Sequence, residues 1–319
     1  MTAESGNTTM LSRKRRWPWV VGGIAFVLLA ACGVCLGSLV AWRGVMGPRE
    51  FGDAVAIIRV EGTIDGSSLN PFGGGVYSEE IIRYIHNADE DPSVKAIVVR
   101  INSAGGAVVA SDEIYSELNK VDKPVIVSMG DVAASGGYYI ACAADYIFAN
   151  PATLTGSIGV YSEVPNAEEL LKKLGIEVVI IRSGPSKAAG NLFEKMSEED
   201  VAIIQAMVDE IHRMFVDIVA EKRHLPVEKV RELADGRGYT GKQALELGLI
   251  DELGNLPEAI DYAAQAGGIV GKPRIIDYQA APSFWQLLTS ALTQPRPGIS
   301  LEEMRRLNTP VFLYSYIEP

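Results

Sequence analysis

Two side chains in this sequence could act together as a nucleophile and a base. Ser135 lies in a run of small residues at 130–139, and Lys187 lies in the Ser-Gly-Pro-Ser-Lys segment at 183–187. A serine hydroxyl at its ordinary pKa is a poor nucleophile, so it needs a base within hydrogen-bond distance. The histidines fall in polar, helix-like stretches with no accompanying motif: His86, His212 and His224. The pattern therefore favours a Ser-Lys pair over a Ser-His-Asp triad.

The residues around Ser135 have the pattern of a strand-to-helix turn that presents a nucleophile. An apolar, strand-like run at 124–129 leads towards it, and Gly136 and Gly137 follow it and open a helix. Backbone N–H groups at the start of a helix have no partner within the helix, so they can hold a developing oxyanion. Each residue also has a plainer interpretation, because serine often caps a helix and a lysine in a loop is often a solvated charge. The hypothesis therefore rests on the combination of the two segments.

Four ordered segments point to one family: Arg-Ile-Asn-Ser-Ala-Gly-Gly at 100–106, Gly-Asp-Val-Ala-Ala-Ser-Gly-Gly-Tyr-Tyr at 130–139, Leu-Thr-Gly-Ser-Ile-Gly at 154–159 and Ser-Gly-Pro-Ser-Lys at 183–187. They are similar to the signal peptide peptidase A family, the membrane-bound Ser-Lys peptidases (family S49) of the Clp protease/crotonase superfamily. The resemblance extends from residue 55 to residue 253. It implies an α/β fold of repeated β-β-α units and a serine endopeptidase activity.

The resemblance implies a role for five residues. Ser135 corresponds to the nucleophile, Lys187 to the base, and Ser157 to the hydroxyl that orients the lysine amine. Gly106 and Gly136 would supply the N–H groups of an oxyanion hole. The chain departs from the family pattern at 103–106, where Ser-Ala-Gly-Gly replaces the usual Ser-Pro-Gly-Gly, and it matches only loosely at 188–196.

The composition argues against several other classes of function. The 319 residues carry a net charge of −11, which would repel nucleic acid. No Cys/His cluster or His-Glu-x-x-His pattern indicates a metal site, and the glycine-rich stretch at 73–75 lacks the ending of a phosphate-binding loop. Two of the three cysteines, Cys32 and Cys35, lie in an apolar segment, so Cys142 is left without a partner. We expect no cofactor, no metal ion and no disulfide framework.

A second pattern lies near the N-terminus. Residues 17–42 contain no charged side chain, and as a helix they would extend about 39 Å, enough to cross a hydrocarbon core of about 30 Å. The basic cluster at 13–16 would stay in the cytoplasm by the positive-inside rule, which places the rest of the chain outside. We therefore predict a cytoplasmic N-terminus at 1–16, a single transmembrane anchor at 17–42, a linker at 43–53, a peptidase domain at 54–278 and a C-terminal tail at 279–319.

Two alternatives compete with a retained anchor. A cleavable signal peptide would have an apolar region of about 7–15 residues, which is shorter than this one. The sequence Leu-Ala-Ala-Cys at 29–32 resembles a lipobox, in which Cys32 would be lipidated, but the apolar run continues as far as Trp42. Either a retained anchor or a lipidated Cys32 would attach the catalytic part to the membrane.

The order of predicted elements is that of an α/β domain. Predicted strands are 54–60, 95–101, 124–129, 145–149 and 176–182, and predicted helices are 78–88, 107–120, 136–143 and 167–174. Ser197 begins a capping-box sequence that predicts another helix. Its apolar positions predict a core or subunit-contact face: Val201, Ile204, Met207, Val208, Ile211, Phe215 and Ile218. The stretch 310–316 is apolar and strand-like.

These observations predict a membrane-tethered serine endopeptidase that cleaves short apolar peptides, with remnant signal peptides as the expected substrate. The resemblance to single-copy members implies a homo-oligomeric ring in which the serine of one subunit meets the lysine of the next. Two other functions stay open. Acyl-CoA chemistry on a related fold would not need both Ser135 and Lys187, and a non-catalytic membrane scaffold would need neither.

Overall fold

The computed structural model describes residues 52–66, 75–278 and 311–315. The predicted cytoplasmic N-terminus, the anchor at 17–42, Cys32 and most of the tail lie outside these residues. Within the described part of the chain, no helix combines the length and the apolar character that a membrane span requires.

Strands and helices alternate, as the sequence predicts. The strands are β1 (Ala54–Glu61), β2 (Ile64–Asp65), β3 (Val76–Tyr77), β4 (Val94–Ser103), β5 (Gly105–Ala107), β6 (Val125–Ala134), β7 (Tyr146–Ala149), β8 (Leu154–Gly156), β9 (Tyr161–Glu163), β10 (Gly238–Thr240), β11 (Glu252–Leu253), β12 (Arg274–Tyr278) and β13 (Val311–Ser315). The helices are α1 (Ser78–Glu90), α2 (Val108–Leu118), α3 (Gly136–Ala141), α4 (Glu168–Lys173), α5 (Glu198–Lys222), α6 (Val227–Leu233), α7 (Gly241–Leu247) and α8 (Leu256–Ala266).

An eight-stranded mixed sheet forms the centre of the domain. Its strand order is β10-β8-β6-β4-β1-β12, with β7 beside β6 and β11 beside β7. β1, β4 and β6 run parallel, whereas β10 is antiparallel to β8. Parallel strands are usually covered on both faces, which explains the unbroken apolar runs at 54–58 and 96–99.

Helices cover the sheet on both faces. On one face, Ile58, Ile97 and Val127 belong to a core that includes residues of α1, α2, α3 and α5. On the other face, Val55 and Val98 pack with the alanines of α8. Burying one such aliphatic side chain stabilises the folded state by about 1.5–3 kcal/mol. The core on both faces therefore holds the central strands in place, together with the loops at their ends.

β6 changes its neighbour just before it reaches Ser135. Its first part, from Ile126 to Ser128, pairs with β7, and its last part, from Val132 to Ala134, pairs with β8. The predicted strand at 124–129 is therefore only the first half of the observed one. This change of partner brings β8 alongside the segment that leads to the candidate nucleophile.

A second, five-stranded sheet has the order β3-β2-β5-β13-β9. The prediction of a strand within 310–316 is confirmed by β13. The prediction of a strand at 176–182 is wrong, because these residues are irregular and pair with no described strand. Val179 and Ile181 are 76% and 95% exposed. Their β-branched side chains favour a strand only where a neighbouring strand and a packing surface are present.

Candidate active site

Ser135 occupies a strained turn between β6 and α3. Its backbone has φ 53° and ψ −116°, and its exposed fraction is 1%. A non-glycine residue in such a conformation costs about 1–3 kcal/mol, and the surrounding structure must hold it there. Two hydrogen bonds do so here: Ser135 N–H donates to the Gly156 carbonyl, and its own carbonyl accepts from Tyr139 N–H, each at 2.8 Å.

Two buried threonines, one just before β8 and one within it, donate hydrogen bonds to β6 near this turn. Thr155 Oγ1 donates to the Ala133 carbonyl and Thr153 Oγ1 to the Gly130 carbonyl, each at 2.7 Å. Neither threonine was assigned a role from the sequence. The signal that could have revealed them is their alternate spacing, which places both side chains on one face of a strand.

α3 follows Ser135 and is buried along its whole length. The Gly136 N–H is the first of this helix, so it has no partner within the helix and is placed beside Ser135. Cys142 ends the helix, and burial raises the pKa of its thiol to about 12. This cysteine is therefore a core residue and not a second nucleophile.

Gly106 lies in β5, in register with Ile64 of β2. A Cβ at Gly106 would lie 2.0 Å from the Ile64 carbonyl oxygen, so only glycine fits. The preceding Gly105 has φ 109°, a conformation that favours glycine, and its N–H donates to Ser103 Oγ at 3.1 Å. Ser103 thus shapes this loop in a sequence that lacks the family's proline. α3 packs against β5, so Gly106 lies close to the Ser135 turn.

Ser157 directly follows Gly156, whose carbonyl accepts the Ser135 N–H. Its hydroxyl donates to the Gly236 carbonyl at 3.1 Å and it too has a positive φ, 48°. Ser157 lines a cavity of about 420 Å³, whose wall also includes Tyr161, Asp209 and His212. The structure thus brings Ser157 close to Ser135, and its predicted role with the lysine stays a prediction.

Lys187 lies on a 3₁₀ turn at Pro185–Ala188, and its side chain is exposed. No hydrogen bond joins its amine to Ser135 or to Ser157 within the described chain. Arg182 and Glu194 close the base of this loop through two hydrogen bonds of 3.0 Å each. Ser135, Gly136, Ser157 and Gly106 are therefore brought together in one chain. Lys187 is exposed, and its predicted role as the base stays a prediction.

Asp200 lies at the start of α5, near the loop that carries Lys187. Its carboxylate accepts from Ser197 Oγ at 2.7 Å, while its own N–H donates back to Ser197 Oγ at 3.0 Å, which caps α5 as the sequence predicts. Hydrogen bonds from Ser197 and from Ser186, the neighbour of Lys187, hold the pKa of the Asp200 carboxyl below its ordinary value. Sequence reasoning assigned Asp200 to a helix cap only.

None of the histidines forms a hydrogen bond with Ser135. His86 pairs with Glu117 at 3.1 Å on the surface. His212 Nε2 bonds the Ala234 carbonyl at 2.8 Å, and His224 follows the C-cap of α5 with φ 52°. The arrangement offers a buried serine hydroxyl and neighbouring glycine N–H groups, which is what an acyl-transfer site needs on its nucleophile side.

Comparison with known proteins identifies the family. A model described as peptidase family S49 matches residues 117–269, and a Clp protease model matches residues 75–154. The chain is 35% identical over 214 residues to the putative protease MJ0651 of Methanocaldococcus jannaschii, covering 65% of this chain and 68% of that protein. The chain belongs to peptidase family S49. Its fold is the Clp protease-like α/β fold, as predicted, while the transmembrane helix that was predicted to precede it lies outside the described residues.

Two further relatives are similar over much of the same region. The putative protease slr0021 of Synechocystis is 45% identical over 182 residues, covering 56% of this chain and 66% of that protein. The putative signal peptide peptidase SppA of Enterococcus faecium is 38% identical over 209 residues, covering 64% of this chain and 61% of that protein. The chain thus spans slightly less than two thirds of the length of these two relatives.

Proposed function

We propose that this S49-family chain is a serine endopeptidase that cleaves apolar peptides through Ser135 and Lys187. The observation that carries the proposal is the Ser135 turn: a strained, buried serine with φ 53° whose N–H is held by Gly156 and whose next residue offers a free helix N–H. Strained backbone of this kind clusters at functional sites, which supports a nucleophile at this position. Family membership supports the same chemistry.

The proposed reaction is an acyl transfer in two steps. Lys187 in its neutral form takes the proton of the Ser135 hydroxyl as Oγ attacks the peptide carbonyl carbon, and the N–H groups of Gly106 and Gly136 hold the oxyanion. The C–N bond then breaks and the leaving amine takes the proton from the lysine. A water molecule, deprotonated by the same lysine, attacks the acyl carbon, the bond between that carbon and Ser135 Oγ breaks, and the lysine returns the proton to Oγ as the second product leaves. Lysine has an ordinary pKa of about 10.4, so this base needs a site from which water is largely excluded.

The site is proposed to form between two copies of the chain in a closed ring. In one chain Ser135 is buried and Lys187 is exposed. This difference supports the arrangement, because a lysine base needs burial to lose its charge and a neighbouring subunit would supply that burial. In this proposal, Lys187 of the neighbouring subunit enters the cavity that Ser157 lines. Apolar side chains exposed on the segment before Lys187 offer a surface for the neighbouring subunit: Leu174, Ile176, Val179 and Ile181. Head-to-tail contacts of this kind close into rings.

Substrate and location extend the proposal further. We infer that the substrates are remnant signal peptides, an inference supported by the name of the Enterococcus relative and by the apolar anchor pattern in the sequence. The uncharged run at 17–42 and the basic cluster before it favour a single-pass membrane protein whose catalytic domain faces away from the cytoplasm. A peptidase placed there would meet signal peptides left in the bilayer.

Covalent labelling tests the activity directly. A fluorophosphonate probe is expected to modify the parent chain and the Ser116→Ala control, and to leave Ser135→Ala unlabelled. Ser116 lies on α2 and is only partly buried, so its replacement leaves the site intact. Labelling that persists in Ser135→Ala would contradict the assignment. A scaffold or an acyl-CoA enzyme on this fold would not label at Ser135.

A further inference from the structure

The ladder of hydrogen bonds between β4 and β6 loses its register just before the Ser135 turn. Pairing is regular up to Ile101 and resumes at Ser103, so one residue of β4, Asn102, lies opposite three residues of β6, at 130–132. We call these three residues the β6 bulge. A bulge leaves residues unpaired and bends its strand, and bulges are frequent next to active sites, where they re-aim a side chain. The β6 bulge therefore affects the direction in which the chain enters the Ser135 turn.

Arg100 holds the start of the β6 bulge. Its Nη1 donates to the Met129 carbonyl, directly before the β6 bulge, and to Ser128 Oγ, each at 2.8 Å. Burial lowers the pKa of the Arg100 guanidinium, and within the described residues no carboxylate forms an ion pair with it. Removing a charged group from water is unfavourable unless the group is hydrogen-bonded. The two contacts with β6 thus offset the cost of placing an arginine on this face of the sheet.

The middle and the end of the β6 bulge are held by two further side chains. The Val132 N–H donates to Asn102 Oδ1 at 3.2 Å, and Thr153 Oγ1 donates to the Gly130 carbonyl at 2.7 Å. A Cβ at Gly130 would lie 2.9 Å from Asn102 Oδ1 and 3.0 Å from Asn102 Cβ, so a side chain there would push Asn102 away. The β6 bulge is therefore held from β4 on one edge and from the segment leading into β8 on the other.

Asn102 also leads into the strand that carries a predicted oxyanion donor. Ser103 follows it and accepts the Gly105 N–H, and β5 then places Gly106. On the nucleophile side, the second residue of α3, Gly137, lies against the Ser103 carbonyl, because a Cβ there would come within 2.9 Å of that oxygen. The end of β4 thus contacts the nucleophile turn on one side and continues into the oxyanion strand on the other.

We propose that Arg100 and Asn102 are positioning residues that set the place of Ser135 Oγ relative to the oxyanion donors. The β6 bulge has no regular ladder on the β4 side, so these two side chains replace it. Catalytic groups must be held to within about 0.5 Å of the productive geometry, and a misplacement of about 1 Å lowers a rate by about 100-fold. The inference rests on the proposed peptidase function for its kinetic test but not for its exchange test.

The first kinetic test compares variants at Asn102 in the full chain. Asn102→Leu removes the acceptor and is expected to lower kcat by about 10- to 100-fold with KM unchanged, since the lost alignment matters in the transition state. Asn102→Asp keeps an acceptor oxygen and should restore most of the kcat. Glu61→Gln is the matched control, because Glu61 is exposed, lies opposite Asn102 on β1 and bonds only Arg59 among the described residues. One kcat common to all forms would overturn the proposal.

The two arginines provide a second matched pair. Arg59 and Arg100 are partners in the register of β1 and β4, but Arg59 donates to Asp277 of β12 and not to β6. Arg59→Met and Arg100→Met each remove one guanidinium from the same face, so both should lower the melting temperature. Below both melting temperatures, only Arg100→Met should lower kcat, again with KM unchanged. Equal kcat values for the two variants would show that Arg100 contributes to stability alone.

Hydrogen exchange measured by mass spectrometry separates this inference from the proposed function. In the peptide covering 130–135, amide exchange should be about tenfold faster in Asn102→Leu than in the parent, and unchanged in Asn102→Asp and Glu61→Gln. Unchanged exchange in Asn102→Leu would overturn the role of Asn102 at the β6 bulge, whatever its kcat. If no form hydrolyses peptides, the peptidase proposal fails, and slower fluorophosphonate labelling of Ser135 in Asn102→Leu still supports the positioning role. Faster exchange with parental kcat and parental labelling would overturn that role and leave the peptidase standing.

Discussion

The nucleophile side and the base side of the candidate site are built in opposite ways. Ser135 is 1% exposed and is held between β6, α3 and β8 by backbone and threonine hydrogen bonds. Lys187 is exposed on a short 3₁₀ turn, after a segment whose apolar side chains face solvent. One chain thus provides a complete environment for the serine and an incomplete one for the lysine.

This difference indicates which contacts position each of the two catalytic groups. Reacting groups must be held to within a fraction of an ångström by their surroundings, and the core of the domain does this for Ser135. A lysine base needs burial to lose its charge, and the described chain does not bury Lys187. We infer that the base side is completed by contact with a second copy, as the proposed ring requires. Four predictions test this contrast, from the largest expected effect to the smallest.

The largest effect concerns the sharing of the site. Ser135→Ala and Lys187→Ala should each lower kcat/KM by about 10⁴-fold or more, because the two groups act as one unit. When the two inactive chains are co-expressed and mix at random, about a quarter of the sites regain both groups if serine and lysine come from neighbouring subunits. The measurement is peptide hydrolysis by the mixture, with each variant alone as control. An inactive mixture in which both chains have co-assembled would place the pair within one chain.

The same contrast explains how far sequence reasoning reaches. The turn at Ser135 was predictable because its sequence signal is local: small residues directly follow an apolar strand. The predicted strand at 176–182 was wrong because its propensity is local, whereas strand formation needs a neighbour that the described chain does not supply. The position of β13 could not be predicted either, since it depends on pairing with β5 and β9, far away in the sequence. Thr153 and Thr155 were not assigned a role, although their alternate spacing in the sequence was a local signal.

The second prediction tests whether the nucleophile side of the site is closed to solvent. Burial raises the pKa of Cys142, at the end of α3, to about 12, so at pH 8 its thiol stays protonated and buried, and therefore unreactive. Native chain treated with iodoacetamide at pH 8 should therefore show almost no modification of the Cys142 peptide by mass spectrometry. Unfolding in guanidinium should restore rapid modification. Rapid alkylation of the native chain would mean that α3 opens readily.

The third prediction compares a glycine on the nucleophile side of the site with one on the base side. Gly106→Ala places a Cβ 2.0 Å from the Ile64 carbonyl oxygen, whereas at Gly184, before Lys187, a Cβ would meet no atom within 4 Å. Overpacking of this kind costs about 1–3 kcal/mol. Urea denaturation should show a loss of that size in the free energy of unfolding for Gly106→Ala and almost none for Gly184→Ala. Equal losses would contradict the contrast between a packed half and an open one.

The smallest effect concerns Asp200, which lies near the loop that carries Lys187. Hydrogen bonds from Ser197 and Ser186 lower the pKa of this carboxyl, so its ionised form contributes stability above the pKa of the unfolded chain, and that contribution disappears as the pH falls through the lower pKa of the folded chain. Asp200→Asn should therefore melt slightly below the parent at pH 7, and the two melting temperatures should converge on acidification. Glu199→Gln is the matched control, since Glu199 lies in the same first turn of α5 but is exposed, whereas Asp200 is buried.

Comparing the two variants separates the serine hydrogen bonds from the helix dipole. Both substitutions remove one negative charge from the start of α5, where the dipole favours it, but only Asp200→Asn alters the contacts with Ser197 and Ser186. The shift at pH 7 should therefore be larger for Asp200→Asn. Because Ser186 precedes Lys187, this variant should also lower kcat modestly while Glu199→Gln does not. Identical melting curves and identical kcat for the two variants would show that Asp200 acts only as a helix-terminal charge and does not position the base.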